Sequence, residues 1–134
     1  RNDDQEYIST IKLVGDFIIS DRINSSLHFT YNNYENIEVF IPIYEFGLSS
    51  TYKKDKFKIQ LGLDMLFENH GLNFSNETFK MNNIINLNLS SSYKLNDNIN
   101  IHLNIDNILN NYNELFFMYP QLGANVMSGL TWKF

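Results

Sequence analysis

Phe57–Glu68, FKIQLGLDMLFE, carries the cleanest alternation in the chain. Phe57, Ile59, Leu61, Leu63, Met65 and Phe67 fall on one face of an extended strand. Lys58, Gln60, Gly62, Asp64 and Glu68 fall on the other, with Leu66 out of pattern. A period of two marks a β-strand with chemically different faces, because successive side chains point to opposite sides. From Phe57 to Phe67, about 3.4 Å per residue at a tilt of about 40° gives a rise of roughly 25 Å, the height of the apolar band of a transmembrane barrel.

The same alternation extends in both directions. Upstream, Tyr7–Ser20 sets Ile11, Leu13, Phe17 and Ile19 against Lys12, Asp16 and Ser20, with Val14 and Ile18 as exceptions. A tight turn at Asp21–Asn24 leads into Ser25–Tyr34, where Leu27, Phe29 and Tyr31 oppose His28, Thr30 and Asn32. After an irregular stretch through Pro42, the residues Tyr44, Phe46, Leu48 and Tyr52 oppose Glu45, Gly47, Ser49 and Thr51, and Lys53–Lys56 turns into the central strand. Downstream, a long polar loop at His70–Asn82 precedes Ile85, Leu87, Leu89 and Tyr93, set against Asn86, Asn88, Ser90, Ser92 and Lys94. The turn Leu95–Asn98 leads to Ile99, Ile101, Leu103 and Ile105, which alternate with Asn100, His102, Asn104 and Asp106. A second long loop, Asn107–Leu122, precedes a last strand with Ala124, Val126, Leu130, Trp132 and Phe134 on one face and Asn125, Gly129, Thr131 and Lys133 on the other. The pattern predicts seven antiparallel strands in a meander and no helix.

Composition narrows the class. A chain of 134 residues has the length of one domain. A net charge of -5 argues against a nucleic-acid partner, which needs a basic surface. There is no Cys for disulfides or thiolate metal sites, and no apolar run long enough for a membrane helix. The opening RNDDQE has neither an initiating Met nor a signal-peptide apolar region, so the chain reads as a mature product or a fragment.

Two regularities favour an up-and-down transmembrane β-barrel. Connections alternate between short, near Asp21, Lys53 and Asn96, and long, around Asn36, Asn73 and Tyr112, as in barrels with short periplasmic turns and longer outside loops. Aromatics gather at strand ends, with Tyr52, Phe57, Tyr93, Trp132 and Phe134 beside short turns and Tyr31, Tyr44 and Phe67 toward long loops. The polar face, rich in Asn, Ser, Thr and Gly, resembles a hydrated lumen more than a salt-laced soluble surface. Alternation alone leaves a soluble barrel or sandwich open, since it does not say which face points outward.

The terminal third resembles the carboxy-terminal end of TonB-dependent outer-membrane receptors. A Tyr-ended strand and short turn lead to a strand closing in Asp106-Asn107-Ile108-Leu109, similar to the family's Asn-Leu element. Tyr119-Pro120-Gln121-Leu122-Gly123 follows, and the last strand ends in an aromatic. Ile41-Pro42 before the Tyr44 strand also fits, while Ile108 replaces the usual Leu. The Asn-rich character and the Tyr-Pro-Gln-x-Gly form are similar to Bacteroidetes versions. The resemblance implies a bacterial outer-membrane barrel of about 22 strands around an amino-terminal plug, importing a scarce nutrient such as a siderophore, corrinoid, glycan or peptide. It implies as partners the rest of the barrel and its plug, the TonB complex, the lipid bilayer, and the barrel assembly machinery, which would read Trp132 and Phe134. Residues 1–134 would then be a carboxy-terminal barrel segment without plug, its first residue in an outside loop, because seven strands cannot close an even-stranded barrel. Two alternatives stand beside it. One is a small stand-alone outer-membrane barrel with a structural or adhesive role, the other a soluble lipocalin-like binding barrel with its apolar face inward.

No residue pattern points to an enzyme, a cofactor or a metal centre. His28, His70 and His102 lack metal-ligand spacing. Asp64, Glu68 and Asp106 on the polar face are expected to be solvated or paired with Lys12, Lys58, Lys94 and Lys133. Gly47, Gly62 and Gly129 are expected to relieve crowding inside the wall. The loop with Tyr112, Phe116, Phe117, Met118 and Tyr119 is a candidate ligand- or partner-facing surface. Its competing reading is packing against neighbouring loops or the rim.

Overall fold

The computed structural model describes residues 8–34, 41–75 and 77–134. The residues before Ile8 and the centre of the expected long connection around Asn36 lie outside that set. Seven long strands form one antiparallel sheet: β1 (Ile8–Ser20), β2 (Ile23–Tyr34), β3 (Tyr44–Lys54), β4 (Phe57–Phe67), β7 (Ile84–Lys94), β8 (Ile99–Asp106) and β11 (Asn125–Trp132). Each long strand pairs with the next in the chain, so the sheet is a meander. It is not closed: β1 and β11 are its two edges. No helix forms among the described residues.

The expected "long polar loops" are structured. His70–Leu72 (β5) and Thr78–Lys80 (β6) make a hairpin, and Glu114–Phe116 (β9) pairs with Tyr119–Pro120 (β10). Strands of two and three residues are too short to leave an alternation, so periodicity passes over them. The short turns are also tighter than the sequence implied. Only Asp21-Arg22 separates β1 from β2, and only Asp55-Lys56 separates β3 from β4, with Asp55 in the left-handed region at φ 51°. The β7–β8 turn is built by Asn96, whose side-chain oxygen accepts from the backbone N–H of Asn98 and Ile99 at 2.9 and 2.8 Å.

Register fixes the two faces. One row runs Leu13, Phe29, Phe46, Met65 and Ile85 across five strands, and another runs Phe57, Tyr93, Ile101 and Leu130. The opposite face is mainly polar, with rows such as Asp16, Ser26, Ser49, Gly62 and Asn88. Val14 and Ile18 do lie on the polar side, and the register slips between Ile18 and Ser20, where a bulge admits Ile19.

Burial is inverted relative to a soluble domain. Among the described residues only Met81 and Ile84 are buried hydrophobics, whereas Thr30, Asn32, Asn69, Asn107 and Asn113 are buried polar groups. Leu13, Phe17, Leu61, Val126, Leu130 and Trp132 are exposed on the apolar face. On that face Ser25 and Ser50, directly opposite, share a 2.7 Å hydrogen bond beside Phe17.

Candidate functional site

Antiparallel order places all short turns at one rim and the structured connections at the other. The long-connection rim is held by asparagines. Asn69 donates to the carbonyls of Leu66 and Asn82 at 3.4 and 3.1 Å, which closes the base of the β5–β6 hairpin. Asn107, 4% exposed and at φ 49°, does more. Its amide donates to the carbonyls of Asn111 and Leu122 at 2.9 and 3.2 Å, and its side-chain oxygen accepts from Asn111 N–H at 3.1 Å. Its own N–H donates to Asn88 Oδ1 on β7 at 3.0 Å. Asn111 then reaches the Ile85 carbonyl, and Asn110 accepts from Ala124 N–H. Asn tolerates the left-handed conformation and bonds its local backbone, so it can replace regular structure at such a corner. The Asp106-Asn107-Ile108-Leu109 element is the anchor of the whole connection.

The aromatic residues singled out in that connection divide. Phe117 is half-buried and meets Phe74 and Phe79 of the neighbouring connection edge-on, with centroids 5.3 and 5.1 Å apart. It joins the two hairpins into one cap. Tyr112, Phe116 and Tyr119 stay exposed, at 68%, 51% and 75%, as does Met118. The Tyr112 hydroxyl donates to Glu114 Oε1 at 2.7 Å, and that bond raises the phenol above its ordinary pKa. A cleft of about 120 Å³ opens at the seam, between Phe79–Asn82 on one side and Tyr112 and Glu114 on the other.

At the opposite rim Trp132 and Phe134 touch edge-on at 6.3 Å, both exposed on the apolar side. Lys133 N–H still donates to the Asn98 carbonyl at 2.8 Å, which extends the pairing beyond the last residue of β11.

The polar face is hollowed. A hollow of about 330 Å³ spans β2 to β8 and is lined by His28, Gln60, Asp64, Asn88, Asn104 and Asp106, with no lysine or arginine. Of the three glycines on this face, two act alike and one does not. A Cβ at Gly47 would stand 1.9 Å from His28 Cε1, and one at Gly129 would stand 2.2 Å from His102 Nε2, so both glycines make room for a histidine ring on the adjacent strand. Gly62 faces open space, with nothing within 4 Å of a Cβ, and relieves no crowding.

Of the three polar-face carboxylates, Glu68 pairs with a lysine, though with Lys80 and not with Lys12, Lys58, Lys94 or Lys133. Among the described residues the ion pairs are Lys80–Glu68 at 2.6 Å and Lys94–Asp97 at 2.8 Å. Asp64, Asp106, Lys58 and Lys133 have none among the described residues. Alternation assigns a face but not a height. Lys58 and Lys133 lie near the short turns, while Asp106 lies at the far end of β8 and Asp64 beyond the middle of β4. No cluster of His, Asp and Glu able to hold a metal ion occurs among the described residues.

No protein-family model matches the chain, and no curated protein matches it.

Proposed function

We propose that this chain is part of the wall of a bacterial outer-membrane β-barrel, the closing segment of a TonB-dependent receptor that imports a scarce nutrient, with no chemistry of its own. One observation carries the reading: the apolar face carries exposed large side chains on β1, β3, β4, β7, β8 and β11, while the polar face is hollowed. Large contiguous apolar surfaces on soluble monomers are rare. Lipid resolves the inversion, since a barrel wall turns its apolar face to acyl chains and its polar face to a hydrated lumen. The open edges of β1 and β11 support a place within a larger closed sheet, because unpaired strand edges in lipid cost several kcal/mol per unsatisfied backbone group. Short connections on one rim and structured ones on the other fit periplasmic and outside faces. The exposed Tyr112, Phe116 and Tyr119 then look outward as a ligand- or partner-facing surface, and Trp132 and Phe134 form the element the assembly machinery reads.

Fractionation of expressing cells tests the membrane reading. Recovery with outer membranes, released only by detergent, is the expected result; recovery in the soluble fraction overturns it in favour of the lipocalin-like alternative. Intact mass tests the rest. A lone 15.8 kDa species, folded and monomeric in detergent, overturns the larger barrel and leaves a small stand-alone one.

A further inference from the structure

Cations are segregated along the strands. Of the ten lysines and arginines in the chain, Arg22, Lys53, Lys54, Lys56, Lys58, Lys94 and Lys133 lie at the short-turn rim, all exposed. Two are occupied. Lys94 pairs with Asp97, and Lys56 donates to the Leu95 carbonyl at 3.3 Å. Lys53 and Lys58 stand directly opposite each other on β3 and β4, on the polar face, and neither has an ion pair among the described residues. Like charges directly opposite across a ladder repel and destabilise it. An anion beside them would reverse the sign of that interaction.

The neighbouring strands supply the rest of a site. Lys58, Ser92 and His102 are consecutive partners in one row across β4, β7 and β8, and Ser90 and Asn104 are partners in the next row. All five line a hollow of about 120 Å³. His102 extends into the space left by Gly129 on β11. Gln60 shares the second row but its amide is held by Ser49 Oγ at 3.1 Å. We propose that Lys58, Ser90, Ser92, His102 and Asn104 form a binding site for a phosphate group. An ammonium, an imidazole, two hydroxyls and an amide line this one hollow, and hydrogen bonds to a charged acceptor are the strong kind. The larger hollow shares Ser90 and Asn104 with this one but holds Asp64 and Asp106 and no cation, so the anion is drawn to the Lys58 end. The site rests on the register of the polar face and stands whether or not the apolar face meets lipid.

The test uses the protein as it is purified from membranes, in a maltoside detergent, which brings no phosphate, titrated with inorganic phosphate and with glycerol 3-phosphate. Binding is followed by calorimetry and by the His102 imidazole resonances. Saturable binding that moves those resonances is expected. Lys58→Gln and His102→Gln each lose one charge-assisted partner and should weaken it about tenfold. Lys58→Arg should retain binding, and Lys94→Gln, outside the hollow, should leave it unchanged. Tighter binding of the ester assigns the site to phosphorylated solutes, and the reverse order to free phosphate. Because Lys58→Gln also removes the repulsion with Lys53, the variant should melt no lower than the parent, which separates loss of the site from loss of the fold. Absence of saturable binding, or an equal loss in Lys94→Gln, overturns the proposal.

Discussion

His102 on β8 lies directly opposite Gly129 on β11, and its ring fills the place where a side chain at residue 129 would begin. His28 and Gly47 repeat the arrangement on β2 and β3. In Gly129→Ala and Gly47→Ala the imidazole must swing to another rotamer, since the blocking atoms belong to the ring and not to the backbone. The expected cost is about 1 kcal/mol, within the range for a displaced side chain, with the resonances of His102 or His28 shifted. Gly62→Ala meets nothing and should be neutral or stabilising by about 0.4–1 kcal/mol through the unfolded chain. Denaturant melts with imidazole NMR check all three. Equal behaviour of the three variants would contradict the pairing.

Asn107 makes three side-chain hydrogen bonds while holding φ 49°. Asn107→Ala loses the bonds and must also carry a Cβ in the left-handed region. At about 1 kcal/mol per bond and about 1 kcal/mol for the backbone, the loss should be about 3–4 kcal/mol. Asn107→Gly keeps the backbone at ease and should recover about 1 kcal/mol of it. Equilibrium unfolding of the two variants separates side chain from backbone.

How much of this was legible in the sequence follows from what alternation encodes. Period two assigns residues to faces, so the seven long strands and their apolar side could be read from Phe57–Phe67 and its repeats, but not which side is exposed. It does not give register. The pairing of His102 with Gly129, and the direct opposition of Lys53 and Lys58, need two strands to be aligned. For the same reason the faces alone did not show that Glu68 would pair with Lys80. The hairpins within His70–Asn82 and Asn107–Leu122 were invisible because a two- or three-residue strand has no period. Their signal was the asparagine content, which read as mere polarity. Its physical meaning is local: Asn69, Asn107 and Asn110 bond the backbone where no ladder can.

Phe117 is the joint between the two hairpins, with edge-on contacts to Phe74 and Phe79. Each such pair contributes about 0.5–1.5 kcal/mol beyond its buried area, so Phe117→Ala should weaken the cap by about 1–3 kcal/mol. The effect should be local. Limited proteolysis is expected to cut within residues 107–124 faster in Phe117→Ala, while Tyr119→Ala, at a position 75% exposed, cuts like the parent.

Lys94 donates to Asp97 at 2.8 Å, and this hydrogen bond, reinforced by the lysine's charge, holds the Asp97 carboxyl below its ordinary value. A depressed folded pKa stabilises the fold above the unfolded value and loses that contribution as pH falls through the folded one. Stability of the β7–β8 turn should therefore decline on acidification below the ordinary aspartate range. Asp97→Asn should flatten that part of the pH profile, and added salt should shrink the difference because the pair is exposed. Acid titration of hydrogen exchange in the turn checks it.

Leu61 stands at the middle of β4 on the apolar face, and Phe57 at its short-turn end on the same face. Both are exposed, 45% and 37%. If water covered that face, Leu61→Arg and Phe57→Arg would be ordinary surface substitutions, each within about 0.5 kcal/mol of neutral. If lipid covers it, depth decides. An arginine at the bilayer midplane costs about 2–4 kcal/mol and one near the interface about 0–1 kcal/mol. The expected outcome in phospholipid vesicles is a large loss of folded protein for Leu61→Arg and a small one for Phe57→Arg, with Gln60→Arg on the polar face close to the parent. The single tryptophan, Trp132, reports the same geometry independently. Its emission should shift to the blue on insertion and be quenched by lipids brominated near the headgroup more than by those brominated at the chain end. A flat series across residues 57, 60 and 61, with Trp132 emitting as in water, would mean that something other than lipid covers the apolar face.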